Sequence, residues 1–339
     1  MKSLKLGTME SSNDHPLKVV SLFAGCGGMD LGITGGFRFN RKTYTRLPTT
    51  VVHSSDFDPV VTEIFDLNFS HNAIVQDVRN LRSDSLPKFD ILLGGFPCQS
   101  FSVVAQNPPR LGVKDQKGQL FFEMTRILRE KKPSAFIAEN VKGLLSANSG
   151  EAFPLVLQEF ENAGYCVTYK VLNASHFGVP QKRERVFIVG FRSEAALKRF
   201  AFPSPTTEHR PPSIAPHLLD PSEVTEDFYF SQRAVLGMKK TRNSRSMNKG
   251  RVQDPSGPCN TVGAHLAKAS LNSTDPVLFD GARYRMFTPR EVARIQSFPD
   301  SFKLSNRKRA NYIALGNAVP PVLMWHVAKS LIAALRPET

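Results

Sequence analysis

Cysteine is scarce: four residues, at 26, 98, 166 and 259, among 339. They are too few and too scattered for a disulfide framework or a metal cluster, and they fit a reducing, cytoplasmic setting in which a thiol stays free. No run approaches the roughly 18 apolar residues that a membrane-spanning helix needs. The N-terminus, MKSLKLGTMESSNDHP, carries lysines but no apolar segment of the secretory kind, so residues 1–16 read as a flexible polar leader. Internal repeats are absent. The last deficit is in acid: 30 Asp and Glu stand against 44 Lys and Arg, a formal charge of +14. Such an excess points to a polyanionic partner, nucleic acid above all, because neutralising phosphates releases counterions. A basic solubility surface would have the same composition.

What is present is alternation. LKVVSLFAG (17–25), VVHSSD (51–56), AIVQDV, FDILLGG and SAFIAENV read as strands, separated by helix-like GMDLGI, DPVVTEIFDLNF and GQLFFEMTRILREKK. FPLVLQEFENAG continues as a helix, and YCVTYKVLNA and RVFIVGFR as strands. Strands alternating with helices predict an α/β, doubly wound, mostly parallel sheet covered on both faces. After residue 191 the chain becomes proline-rich, and KKTRNSRSMNKGR (239–251) is basic with no acid. Spaced Phe, Val and Leu predict a second, smaller irregular domain there rather than a linker. Periodic structure returns at RMFTPREVARIQSFP and in PPVLMWHVAKSLIAALR.

Several motifs fall at strand ends. FAGCGG (23–28) is a glycine-rich turn that lets backbone approach a ligand or simply turns tightly. It is neither a dinucleotide fingerprint nor a phosphate-cradling loop. Asp56 ends the second strand, where a carboxylate can take ribose hydroxyls; Asp56 or Asp58 could equally cap a helix. Phe57 could stack on a purine or pack in the core. Asp77 ends the third strand. Three such ends suggest a nucleoside-bearing cofactor across the sheet edge. Cys98, in GGFPCQSFS, follows the fourth strand, and Glu139, in ENV, closes the fifth. A buried Glu139 would have a raised pKa and could carry a proton, although a solvated or ion-paired carboxylate is the plainer alternative. QKRERVF (181–187) presents Arg183 and Arg185, either a solvated charge run or a fork for a base carbonyl or phosphate.

FAGCGG, PCQSFS, ENV, QKRERVF, REVARIQSFPD and LGNAVPP occur in the order seen in cytosine-C5 DNA methyltransferases, and over residues 17–191 and 283–337 the sequence resembles that family, bacterial and monospecific in type. The resemblance implies transfer of a methyl group from S-adenosyl-L-methionine, leaving S-adenosyl-L-homocysteine, to carbon 5 of a cytosine flipped out of a specific duplex DNA sequence. It implies that the Cys98 thiolate adds to carbon 6 while Glu139 protonates or hydrogen-bonds ring nitrogen 3. Arg185 would hold oxygen 2, with Arg183 and Gln181 supporting the site. Cofactor contacts fall on Phe23, Ala24, Gly25, Gly27, Asp56, Phe57, Asp77, Val78, Pro97, Leu120, Asn317, Ala318 and Val319. Asn317 could instead be a helix N-cap. DNA contacts fall on Gln181, on Thr261 of a Thr261–Val262 doublet, and on Lys239, Lys240, Arg242, Arg245, Lys249 and Arg251, the arginines for bases and the lysines for phosphates. No metal is implied.

The expected organisation is a leader at 1–16, a catalytic and cofactor-binding domain at 17–191 plus 310–339, and target recognition with a hinge at 192–309. The expected setting is a bacterial cytoplasm and nucleoid, with duplex DNA as partner, no membrane, a monomer, and a cognate restriction endonuclease acting separately as a compatible companion. Two features depart from the family pattern: the long link GGFRFNRKTYTRLPTT (35–50), which puts the alignment of Asp56 in question, and prolines 108 and 109 after Cys98. A tRNA cytosine methyltransferase and a catalytically inactive DNA-binding relative are the alternatives; small-molecule methyltransferases would need neither a basic insert nor a Cys-Glu pair.

Overall fold

The computed structural model describes residues 15–97, 120–240, 251–268 and 275–337. Its strands are β1 (Leu17–Leu22), β2 (Phe37–Phe39), β3 (Lys42–Tyr44), β4 (Thr49–Asp56), β5 (Ile74–Val75), β6 (Ile91–Gly94), β7 (Ala135–Val141), β8 (Cys166–Asn173), β9 (Gln181–Lys182), β10 (Glu184–Phe191), β11 (Cys259–Asn260), β12 (Leu278–Phe279) and β13 (Tyr284–Arg285). Seven of these form one sheet in the order β5-β4-β1-β6-β7-β10-β8. β5 to β7 pair in parallel, and β10 runs antiparallel between β7 and β8. The central strands are apolar without alternation because helices cover both faces; every residue of β6 is buried, and all of β7 except Val141.

The described helices used below are α1 (Gly28–Thr34), α2 (Pro59–Asp66), α3 (Leu120–Lys131), α4 (Ala152–Asn162), α5 (Glu194–Arg199), α6 (Gln232–Lys240), α7 (Pro289–Ile295), α8 (Lys308–Asn317) and α9 (Pro321–Leu335). Lys308–Leu335 is by length and composition apolar enough to cross a membrane. It is instead two helices broken at Ala318–Pro320, mostly buried inside the protein.

The 35–50 link is a hairpin. Asn40 and Arg41 both take positive φ, the turn that matches strand twist. Its aromatic face docks on α9: Phe37 stacks on Tyr44 at 5.2 Å, Tyr44 meets Trp325 edge-on at 5.3 Å, and Trp325 Nε1 donates to the Thr45 carbonyl at 2.8 Å. The chain re-enters the sheet at Thr49 opposite Leu17. The insertion is therefore absorbed before β4, and Asp56 still ends that strand.

A third apolar cluster joins Ile214, Cys259, Val262 and Leu278 to Phe287, Ile295, Phe298, Tyr312 and Leu315, and reaches Val61 and Ile64 of α2. The smaller region is thus packed on the sheet domain. Residue 310 lies inside α8, whose buried Ala310, Tyr312, Ala314 and Leu315 belong to this same cluster.

Candidate active site

The carboxyl ends of β1, β4, β6 and β7 and the start of β10 meet along one edge. At β1 the chain turns through Phe23 and Gly25 with φ of 55° and 56°. A left-handed phenylalanine costs roughly 1–3 kcal/mol and persists only where its surroundings hold it. They do: Ala24 N donates to Ser55 O at 3.0 Å and Gly25 N to the Asp56 carboxylate at 2.9 Å. Asp58, not Asp56, caps α2, accepting from Val60 N at 2.8 Å with Pro59 at the first helical position. Asp56 is left to tie the glycine turn to β4, with Asp58 N donating to its other oxygen at 3.0 Å; burial raises its pKa. Phe57 is 69 % exposed and belongs to none of the apolar clusters, so core packing is excluded as its role.

Behind this edge sits a buried carboxylate that the sequence reading missed. Asp30, on α1, accepts from Ser21 Oγ of β1 at 2.9 Å and from Ser54 Oγ of β4 at 2.7 Å. Ser54 Oγ also lies 3.1 Å from His71 Nε2. Since the Ser54 proton goes to Asp30, His71 must donate, which sets its Nε2–H tautomer. Burial pushes Asp30 up to about 6 against both serine hydrogen bonds, and burial lowers the pKa of His71.

Glu139 lies on β7 and is 8 % exposed. Arg185 Nε, at the start of β10, is 3.0 Å from Glu139 Oε1. Burial raises the Glu139 pKa, with Arg185 and then Arg183 opposing. The neighbouring Asn140 donates Nδ2 to the Phe96 carbonyl at 2.9 Å, anchoring the chain just before Pro97. Asn140 was within the quoted ENV motif but had no assigned role. Cys98 lies outside the described residues. Burial pushes the Cys26 thiol up to about 12 and raises the Cys259 thiol as well, which leaves both inert.

Arg183 and Gln181 are buried beneath this edge and bonded to the segments packed against it. Arg183 is 1 % exposed and donates to the carbonyls of Val262, Gly316 and Ala318 at 3.0–3.1 Å. Gln181 accepts from Val262 N at 2.9 Å and donates to Gln296 Oε1 at 2.8 Å, and Gln296 in turn donates to Leu315 O at 2.6 Å. β11 pairs with β9, and Thr261 Oγ1 donates to Lys182 O at 2.8 Å. QKRER, Thr261–Val262 and LGNAV are thereby bound into one unit. Arg183 and Gln181, expected to support the site, are both buried and bonded within this unit, Arg183 to three carbonyls and Gln181 to Val262 and Gln296. Gln296 was legible only as part of an unexplained motif.

The other expected residues scatter in role. Ala24 is buried, and Pro97 and Leu120 are half-buried. Val78 is buried in the core, so it offers a ligand only backbone. Asp77 is engaged by Arg79 through both its guanidinium and its backbone N–H, and that hydrogen bond lowers its pKa. Asn317 is exposed at the end of α8 and is not an N-cap; Ala318 and Val319 follow, with the Val319 carbonyl so close to Gly28 that a Cβ there would lie 2.3 Å from it. Thr261 is exposed. Lys239 and Lys240 end α6, while Arg242, Arg245 and Lys249 lie outside the described residues. Arg251, expected to read bases, is buried and donates Nε to the Asp275 carbonyl at 2.9 Å. Among the described residues no group of three or more His, Cys, Asp or Glu could hold a metal ion.

Comparison with known proteins gives the family of the chain. The Type II methyltransferase M.FnuDI of Fusobacterium nucleatum is 34 % identical over 337 residues, covering 93 % of this chain and 94 % of that protein. The Type II methyltransferase M.Bsp6I of Bacillus sp. (strain RFL6) is 33 % identical over 334 residues, covering 94 % and 99 %. Among solved structures, the Entamoeba histolytica methyltransferase EhMeth superposes with TM-score 0.72 at 16 % identity (95 % and 99 % covered), and S. pombe Dnmt2 with 0.69 at 20 % (94 % and 98 %), likenesses of fold. The C-5 cytosine-specific DNA methylase family matches residues 17–333. With that match spanning both the sheet edge and the unit packed against it, the chain belongs to this family and is a DNA (cytosine-5-)-methyltransferase.

Proposed function

We propose that the chain methylates carbon 5 of a cytosine flipped out of a specific duplex DNA sequence, through a covalent adduct with Cys98. The observation that carries this reading is the Glu139–Arg185 pair, buried at the sheet edge where the chain leads through Phe96 and Pro97 toward Cys98. A carboxyl whose pKa is raised by burial is suited to give a proton to ring nitrogen 3, and an arginine beside it to hold oxygen 2. With nitrogen 3 so engaged, carbon 6 becomes electrophilic enough for a thiolate. S-adenosylmethionine supplies the electrophilic methyl when bound. The residues at hand fit it: a held glycine turn for the methionine end, Asp56 for the ribose, the exposed Phe57 for a purine face, and Asp77 with the Val78 backbone at its edge. Pro97, Leu120 and Asn317 to Val319 would close that pocket.

The region around Thr261 and α6, roughly 192–282, would read the sequence, with residues up to Val319 joining it to the sheet domain. In this reading the chain acts as a monomer in a bacterial cytoplasm, alongside a separate endonuclease as in the Type II systems of its relatives. The test is bisulfite sequencing of DNA from cells expressing the wild type and Cys98→Ser. Protected cytosines at one sequence are expected with the wild type and none with the variant, which still binds S-adenosylmethionine. Equal protection with both would refute the covalent mechanism.

A further inference from the structure

An open groove of about 560 Å³ lies directly outside the Glu139–Arg185 pair, lined by Lys142, Lys182, Glu184, Arg185 and Thr261 among others. Four of these five can meet a phosphate; Glu184 cannot. An acid there runs against both the charge of the whole chain and the polyanion that this enzyme binds. Its side chain is not idle. Lys142 Nζ donates to both Glu184 oxygens, at 3.1 and 3.0 Å, with the two side chains 55 % and 47 % exposed. Arg185 is likewise committed, to Glu139 and to the Glu184 carbonyl at 2.7 Å. Among the described residues, two of the three cations that line the groove are therefore occupied by the protein's own acceptors before any DNA arrives.

We propose that Glu184 is a specificity residue: it stands in for a phosphate on Lys142, withholding that lysine from duplex DNA until a nucleotide enters the groove. This rests on the groove being the approach to the flipped base. On undistorted DNA, a phosphate must displace a carboxylate already bonded to the ammonium, and the freed carboxylate then faces the backbone. Only a nucleotide brought into the groove carries its phosphate close enough to win that exchange. Sequence-independent affinity, which lysine-phosphate contacts dominate, is thereby kept down without loss of the contact in the specific complex.

The probe is poly(dA)·poly(dT), which contains no cytosine to flip, bound at several salt concentrations. Both side chains are half-exposed, so substitution leaves the fold intact. Glu184→Gln is expected to bind about two- to five-fold tighter at low salt, the equivalent of one exposed ion pair. Its logarithmic salt slope should steepen by about 0.9, one phosphate contact. Adding Lys142→Met should remove both changes. Tightening that survives in the double variant would overturn the proposal, since general charge rather than a released Lys142 would be the cause. If Glu184→Gln changes nothing while Lys142→Met weakens binding, Lys142 already holds a phosphate: the proposal falls and the groove still faces DNA. If no variant changes binding, the groove does not face the duplex, and the reading of the site falls with the proposal.

Discussion

Replacing Asp30 by Asn should stabilise the protein in a pH-dependent way. The carboxyl is wholly buried between α1, β1 and β4, and burial raises its pKa from 3.8 to about 6. The folded protein therefore keeps this proton at a pH where the unfolded chain has lost it, so ionisation works against folding and stability falls as pH rises from about 4 through 6. A shift of about two units corresponds to about 3 kcal/mol once both states are ionised. About 1.4 kcal/mol of that is lost between pH 5 and 7.5. Asparagine does not titrate. Its cost is that Ser21 or Ser54 must accept instead of donate; Ser54 keeps its bond from His71, so Ser21 turns, at about 1 kcal/mol. The net expectation at pH 7.5 is a gain of about 2 kcal/mol, shrinking to about 0.6 kcal/mol at pH 5. Urea unfolding of wild type and variant at the two pH values measures it, and the difference between them cancels every other titrating group far from the site. A variant destabilised equally at both would refute the argument, because Asp30 would then be ionised in the folded state at little cost.

Phe57→Ala should weaken S-adenosylmethionine binding by about 5- to 100-fold, the range for one lost base–aromatic stack, with the thermal midpoint unchanged because the ring is largely exposed. Calorimetric titration checks it; an intact affinity with a lowered midpoint would make Phe57 a packing residue. Gly316→Ala should destabilise by about 1–3 kcal/mol, since the new Cβ would lie 2.2 Å from Ala264 N and 2.4 Å from Gly263 C, both backbone atoms. A near-neutral value in urea unfolding would mean that the Thr261–Ala264 segment moves freely against α8.

The elements of the sheet domain were readable because buried parallel strands are continuous apolar runs and their covering helices keep a 3.6-residue period. The sequence also placed Asp56, Phe57 and Glu139 at strand ends, a one-dimensional property that β4 and β7 retain in the fold. It determined that a thiol, a carboxyl and arginines of one chemistry were present, and in what order. Roles that depend on which side chain is buried were not readable. Arg183 and Arg185 have the same parity and the same charge. Yet Arg183 lies beneath Val262 and LGNAV, where three carbonyls converge on it, while Arg185 opens to the groove beside Glu139. Arg251 had the sequence context of a DNA contact and is buried against Asp275. Asp56 and Asp58 were interchangeable until α2 began at Pro59 and took Asp58 as its cap. The chain alone settled which chemical groups stand at the sheet edge, because strand period and strand ends are local. Which guanidinium holds the site together and which one faces the substrate was decided by segments more than 70 residues apart closing over one of them and leaving the other in reach of solvent.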